Sequence, residues 1–153
     1  VENISTIVRR VGIKPENLGL EITETLAIND MQKIMKIINQ IKAMGIKIAL
    51  DDFGTGYSSL NYIKQLSLDI IKVDQTFIKD ITQDDYARAF LKLVSDLSKT
   101  IGVVVCVEGV ENKEQKELLK QMDIELIQGY YYGMPMPAEK FEKKFLHISK
   151  LQK

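Results

Sequence analysis

The sequence predicts an α/β protein built on a parallel sheet, and three observations predict it. Five short runs rich in Ile and Val recur at 18–23, 47–51, 69–74, 103–108 and 125–128. Amphipathic helical patterns separate them. Short apolar strands alternating with helices are the signature of βα units, in which each crossover returns the chain to the same end of the sheet. At 153 residues the chain has the size of one domain and is long enough to bury a core.

Each element follows from its local pattern. The first run leads into Glu21-Ile22-Thr23-Glu24. Asn29-Asp30 supplies a cap for a helix carrying Met31, Ile34, Met35, Ile38 and Ile41 on one face, with Gly45 as its stop. The second run ends in Asp51 and continues as Asp52-Phe53-Gly54-Thr55-Gly56-Tyr57-Ser58-Ser59-Leu60. After the third run, Thr82 with Asp85 reads as a capping box for a helix bearing Tyr86, Phe90, Leu93, Val94 and Leu97, closed near Gly102. The fourth run, Val103-Val104-Val105-Cys106-Val107, ends in Glu108. Asn112 with Gln115 opens a helix packing Leu118, Leu119 and Met122. Pro137 suits the first turn of a last helix carrying Phe141, Phe145 and Ile148. These methionine and aromatic stripes are expected to be core. His147 is read as a surface or packing residue.

Composition narrows the function classes. With 45% hydrophobic and 27% charged residues, the chain is globular rather than disordered. Its 21 basic and 21 acidic residues cancel, so attraction of an anionic partner must be local. No basic run interleaved with aromatics supports binding of a nucleic-acid polymer. The apolar runs are too short to span a bilayer, and no membrane contact by this segment is expected. A lone cysteine, Cys106, in an apolar run reads as a buried small residue of a protein from a reducing, cytoplasmic compartment. The sequence opens at Val1 in what reads as the middle of a domain, so a piece of a longer protein is expected.

The chemistry gathers at strand ends. Glu21, Asp51, Lys72, Glu108 and Gln128 each sit at or near the C-terminal end of a different strand. Their apolar neighbours would point the other way, into covering helices. All five side chains would then face one interior, and in parallel α/β folds sites form at the carboxyl ends of strands. Asp51-Asp52 at a strand end, before a glycine loop, repel each other unless a cation intervenes. Oxygen donors of this kind suit Mg²⁺, Mn²⁺ or Ca²⁺. The alternative is an acidic turn that caps the next helix. Lys72 among Ile70, Ile71 and Val73 needs charged partners or must snorkel from an edge. Glu24 is either a second strand-end carboxylate or the acidic first turn of the next element. Carboxylates with one lysine make an inventory for metal-assisted hydrolysis, particularly of phosphate esters. No histidine is placed to activate a serine or cysteine nucleophile, and no G-x-G-x-x-G or P-loop is present.

Five ordered segments resemble the EAL-domain cyclic di-GMP phosphodiesterases of bacteria. They are Leu20-Glu21-Ile22-Thr23-Glu24, the stretch 51–60, Ile71-Lys72-Val73-Asp74, Val107-Glu108-Gly109-Val110-Glu111, and the stretch 128–137. The resemblance implies a modified TIM barrel and hydrolysis of cyclic di-GMP to linear pGpG with Mg²⁺ or Mn²⁺, Ca²⁺ being inhibitory. It also implies roles. Glu21 and Asp51 would hold one metal. Asp51 and Asp52 would bridge to a second, with Glu108 as its ligand or as base. Lys72 would hold the attacking water, and Glu24 would pin the Asp-Asp-Phe-Gly loop. Glu111 and Gln128 would support the site or touch substrate.

Two departures bear on this resemblance. The Glu-Ala-Leu signature and a metal-binding Asn of the family are absent. Gln75, Val107 and Met122-Asp123-Ile124 replace common family residues away from the named ligands. A (β/α)₈ barrel takes roughly 250 residues. The expected fold is therefore an incomplete (β/α)₈ TIM-type barrel of about five βα units, residues 1–153 being the C-terminal part of the domain. Such a piece is expected to be weakly active or inactive alone. Its open sheet edges and interior are expected to drive dimers or larger assemblies. Two rival readings remain. One is a non-catalytic EAL-like module binding cyclic di-GMP or a protein. The other is a lyase or enolase-type barrel with Lys72 as base.

Overall fold

A computed structural model describes residues 1–24, 30–56, 60–124 and 126–146. Five parallel strands run in sequential order: β1 (Gly19–Thr23), β2 (Lys47–Phe53), β3 (Ile70–Val73), β4 (Val104–Val107) and β5 (Leu126–Ile127). Sequential parallel order is the order of barrel staves, and the sheet is an arc of a TIM-type barrel. The strands begin and end within one residue of the predicted runs. β2 is the exception, continuing past Asp51 to Phe53.

The α-helices are α1 (Glu2–Val11), α2 (Met31–Lys42), α3 (Leu60–Gln65), α4 (Asp85–Ile101), α5 (Lys113–Gln121) and α6 (Ala138–Phe141), with short 3-10 turns at Pro15–Asn17 and Gln75–Phe77. Asp30 caps α2 by accepting from Lys33 N at 3.3 Å, whereas its predicted companion Asn29 lies outside the described residues. The predicted box at α5 forms in full. Asn112 Oδ1 accepts from Gln115 N, and Gln115 Oε1 accepts from Asn112 N. The start of α4 differs from expectation. Asp84, not Thr82, is the cap, and its Oδ1 accepts from Tyr86 N and Ala87 N. Helix α1 has no counterpart among the predicted elements.

The core lies between the sheet and the helices. Ile48, Leu50, Ile71, Val73 and Val107 point into it, with Ile38, Ile41, Leu91, Val94 and Leu119 from the helices. Cys106 is buried as expected, on the opposite face. Burial pushes its thiol up to about 11, the nearby Glu108 charge adding to this, so it is inert at neutral pH. Not every predicted stripe residue is core. Tyr86 and Leu93 face solvent on α4, and Phe141 and Phe145 are exposed near the C-terminus. After four residues α6 widens into a π-helical turn at Glu142–Leu146. His147 and Ile148 lie outside the described residues, as do Tyr57, Ser58 and Ser59.

Candidate active site

Register places the site. Lys72 on β3 pairs with Cys106 on β4, and Thr23 on β1 with Asp51 on β2. With Leu50 and Ile71 locked into the core, alternation turns Glu21, Asp51 and Lys72 to the other face. Lys72 Nζ then meets carboxylates delivered by three other chain segments. It lies 2.8 Å from Glu21 Oε2, 3.0 Å from Asp51 Oδ1 and 2.8 Å from Glu108 Oε1. The lysine is only 7% exposed. Burial alone would push its pKa down. The carboxylates of Glu108, Glu21 and Asp51 outweigh that and hold it above the ordinary lysine value. Contacts to three carboxylates fix the ammonium in place.

Asp51 Oδ1 is shielded from water and has no aligned hydrogen bond among the described residues. Its 3.0 Å contact with Lys72 is an ion pair by distance alone.

Asp52 reaches the same place through an irregularity. Between Leu50 and Phe53 the pairing of β2 with β3 slips, so three steps on β2 oppose two on β3. The extra residue is taken up where Asp52 adopts φ +56, in the left-handed region. In a regular strand Asp51 and Asp52 would face opposite sides. A bulge re-aims one of them. As a result one carboxylate oxygen each from Asp51, Asp52 and Glu108 lies within 4.8 Å of the others. Such a set of hard oxygen donors fits a divalent ion. The two adjacent aspartates stand out in the sequence, but the bulge that unites them does not. Only the glycines after Phe53 hint at it.

The remaining named residues surround this cluster. Glu24 is buried, and its Oε2 accepts from Gly54 N at 3.1 Å. Glu111 and Gln128 are exposed and line a cavity of about 310 Å³ with Asp52, Asp74, Gln75 and Glu108. Gln128 also borders a larger cavity, about 790 Å³, with Glu21, Lys72 and Cys106 on one wall and Tyr130, Phe141 and Phe145 on the other. Sequence reasoning missed two neighbours. Asp74 follows the end of β3 and joins the smaller cavity. Gln115, read only as a cap, is buried and braces the β4–α5 loop. Its Oε1 accepts from Glu111 N at 2.7 Å, and its Nε2 donates to Ile78 O at 3.1 Å.

Known proteins share this fold. The EAL domain family matches residues 1–135. MucR of Pseudomonas aeruginosa, a bifunctional diguanylate cyclase/cyclic di-GMP phosphodiesterase, is 37% identical over 139 residues, or 91% of this chain and 20% of its own length. The solved structure of the PaMucR phosphodiesterase in complex with c-di-GMP has a TM-score of 0.87 at 36% identity, over 92% of this chain and 57% of that one. BlrP1 of Klebsiella pneumoniae, solved as a manganese/cy-diGMP complex, has a TM-score of 0.77 at 32% identity, over 81% of this chain and 32% of that one. The chain therefore spans a fifth of the curated relative and a little over half of the solved PaMucR chain. A family match over nearly the whole length, on the same fold, means that the chain belongs to the EAL-domain family.

Proposed function

We propose that this chain is the C-terminal part of an EAL phosphodiesterase domain that hydrolyses cyclic di-GMP to linear pGpG with Mg²⁺ or Mn²⁺. The observation that supports it most is the convergence of Glu21, Asp51 and Glu108 on the buried Lys72. A pure binding module has no use for a buried ammonium fixed by three carboxylates. Names of relatives that act on or bind cyclic di-GMP support the substrate.

In this reading Glu21 and Asp51 would hold one divalent cation and Asp51 and Asp52 would share a second, with Glu108 as its further ligand or as the acceptor of a proton from water. Divalent ions, when bound, bring the pKa of water toward neutrality and offset charge on phosphoryl oxygens. With those carboxylates drawn toward the cations, Lys72 would have a donor free for the attacking water and would orient it. The water oxygen joins phosphorus, the bond from phosphorus to the 3′ ribose oxygen breaks, and that oxygen takes a proton. Glu24 holds the Asp52 loop through Gly54. Glu111 and Gln128 flank the cavities through which the dinucleotide approaches. Ca²⁺ takes the same oxygens with longer and looser coordination, and inhibition is expected.

The 153 residues alone are expected to turn over slowly or not at all, because the resemblance assigns a further metal ligand to segments outside them. We propose a cytoplasmic location for the domain, in keeping with its single buried, unpaired cysteine. No helix among the described residues is long and apolar enough to cross a membrane. Strands β1 and β5 are the sheet's edges, each with one unpaired side among the described residues. We propose that they draw copies of this chain together. Light scattering at micromolar concentration should show dimers or larger species, and a monodisperse monomer would overturn this.

Enzymatic function is tested by pGpG release from the longer protein that carries this chain. Asp52→Asn should lower turnover by roughly 100-fold or more. Equal turnover of the two proteins would refute the metal-bridging role.

A further inference from the structure

The left-handed turn at Asp52 needs something to hold it. An aspartate has no intrinsic preference for φ +56 strong enough to select it over the extended strand. The extra residue between Leu50 and Phe53 must be stored somewhere, and both ends of the bulge are anchored. Leu50 is fixed in the core opposite Ile71. At the other end Phe53 is buried opposite Val73, and its ring lies 6.0 Å from that of Phe90.

Beyond Phe53, the loop is squeezed from two sides. Gly54 has φ +98, and a Cβ there would sit 2.6 Å from Phe77 Cε2 and 3.0 Å from Phe90 Cζ. Those two rings stack at 4.1 Å between centroids, 17° from parallel. They form a flat wall against the loop backbone. From the opposite side Glu24 accepts from Gly54 N, and a Cβ on Gly56 would sit 2.5 Å from Glu24 Oε1. Thr55 closes the turn inward, its hydroxyl and its N–H both donating to Asp52 O, at 2.9 and 3.3 Å.

We infer that the Phe77–Phe90 stack is a positioning element for Asp52: it walls Phe53 and Gly54 in place, so that the surplus residue is stored at Asp52 and its carboxylate joins Asp51 and Glu108. Removing the wall lets Gly54 relax toward α4 and the bulge spread along the loop. Asp52 then returns toward the extended region and leaves the cluster. The consequence for cation binding rests on the metal role proposed for Asp52, whereas the backbone consequence does not.

The experiment has two readouts on the 153-residue chain, wild type and Phe90→Leu, with Val94→Ala, a core variant of the same helix that keeps both rings, as the control. The first is the ¹³Cα secondary shift of Asp52 without metal, which has one sign for a helical φ/ψ and the opposite sign for an extended one. It should change sign in Phe90→Leu and be retained in Val94→Ala. The second is Mn²⁺ affinity from the electron paramagnetic resonance signal of free Mn²⁺. Phe90→Leu should weaken it about tenfold, Val94→Ala should leave it unchanged, and Phe90→Leu should add no further loss to Asp52→Asn. A merely structural role for Phe90 would lower stability without this coupling. An unchanged Asp52 shift in Phe90→Leu overturns the inference. So does a changed shift with unchanged Mn²⁺ affinity. A changed shift in a chain whose wild type binds no Mn²⁺ upholds the positioning role and refutes the metal reading instead.

Discussion

On its helix-covered face the sheet presents Ile48, Leu50, Ile71, Val73 and Val107, none more than 1% exposed. On the other face the same strands present Asp51, Lys72 and Cys106, joined by Glu21 from β1 and by Glu108 just past the end of β4. The first face is held by burial of apolar surface, worth about 1.5–3 kcal/mol for each such side chain. The second collects mutually repelling carboxylates around one buried ammonium, which does not stabilise a fold by itself. The difference teaches where specificity comes from. Because side chains alternate, a register fixed by packing on one face fixes the charges on the other. The chemical face needs no stability of its own, only a partner face that has enough.

The two faces can be perturbed one at a time. Lys72→Met should have the largest effect. It removes the ammonium and leaves Glu21, Asp51 and Glu108 uncompensated, and turnover by the longer protein should fall on the order of 1000-fold, about 4 kcal/mol in barrier. In the metal-free chain it should also lower the melting midpoint, and added Mn²⁺ should recover part of that loss, because a cation replaces the missing charge.

Leu119→Ala acts on the packed side, on α5 and away from the ends of the β2 bulge. It should cost about 3 kcal/mol of stability, read from denaturant unfolding, with Mn²⁺ affinity of the folded chain unchanged. A large loss of affinity would mean that the faces are not separable in this way.

Asp69→Ala is the smallest. Asp69 Oδ1 pairs with Lys42 Nζ at 2.7 Å, and Oδ2 accepts from Ile48 N at 2.8 Å, tying α2 to the start of β2 and β3. Burial pushes this carboxyl's pKa up, but Lys42 and the Ile48 N–H more than reverse it and hold it below its ordinary value. A depressed folded value means that ionised Asp69 stabilises above the unfolded pKa and that this is lost as pH falls through the folded one. Both partners are about a third exposed, so the effect is modest. The variant should lose about 1 kcal/mol at pH 7, the gap to wild type closing below roughly pH 4.

Much of this was legible in the sequence because period and charge obey local rules. Alternation around Lys72 and Asp51 placed both on one face. The Asn112–Gln115 spacing specified its cap. What was not legible depended on contacts distant in sequence. Asp52 joins Asp51 only because β2 carries an extra residue relative to β3, which no single strand reveals. Asp84 displaced Thr82 as a cap because both offer an acceptor at a helix start, and only the path out of the preceding turns chooses between them. Tyr86 and Leu93 fit the apolar stripe of α4 by spacing but fall at its solvent margin, where no described element covers them. Phe141 and Phe145 belong to a helix too short to pack as a stripe, and they face a cavity instead. Helix α1 escaped notice because only Val8 of it is buried.

The most direct test of a shared cation site built from separate strands is Mn²⁺ binding to the wild-type chain and to Asp51→Asn, whose lost carboxylate belongs both to the Lys72 ion pairs and to the Asp52–Glu108 cluster. Binding by the wild type that weakens at least tenfold in the variant is the predicted result. Equal affinity in both chains, or no Mn²⁺ binding by either, would contradict it.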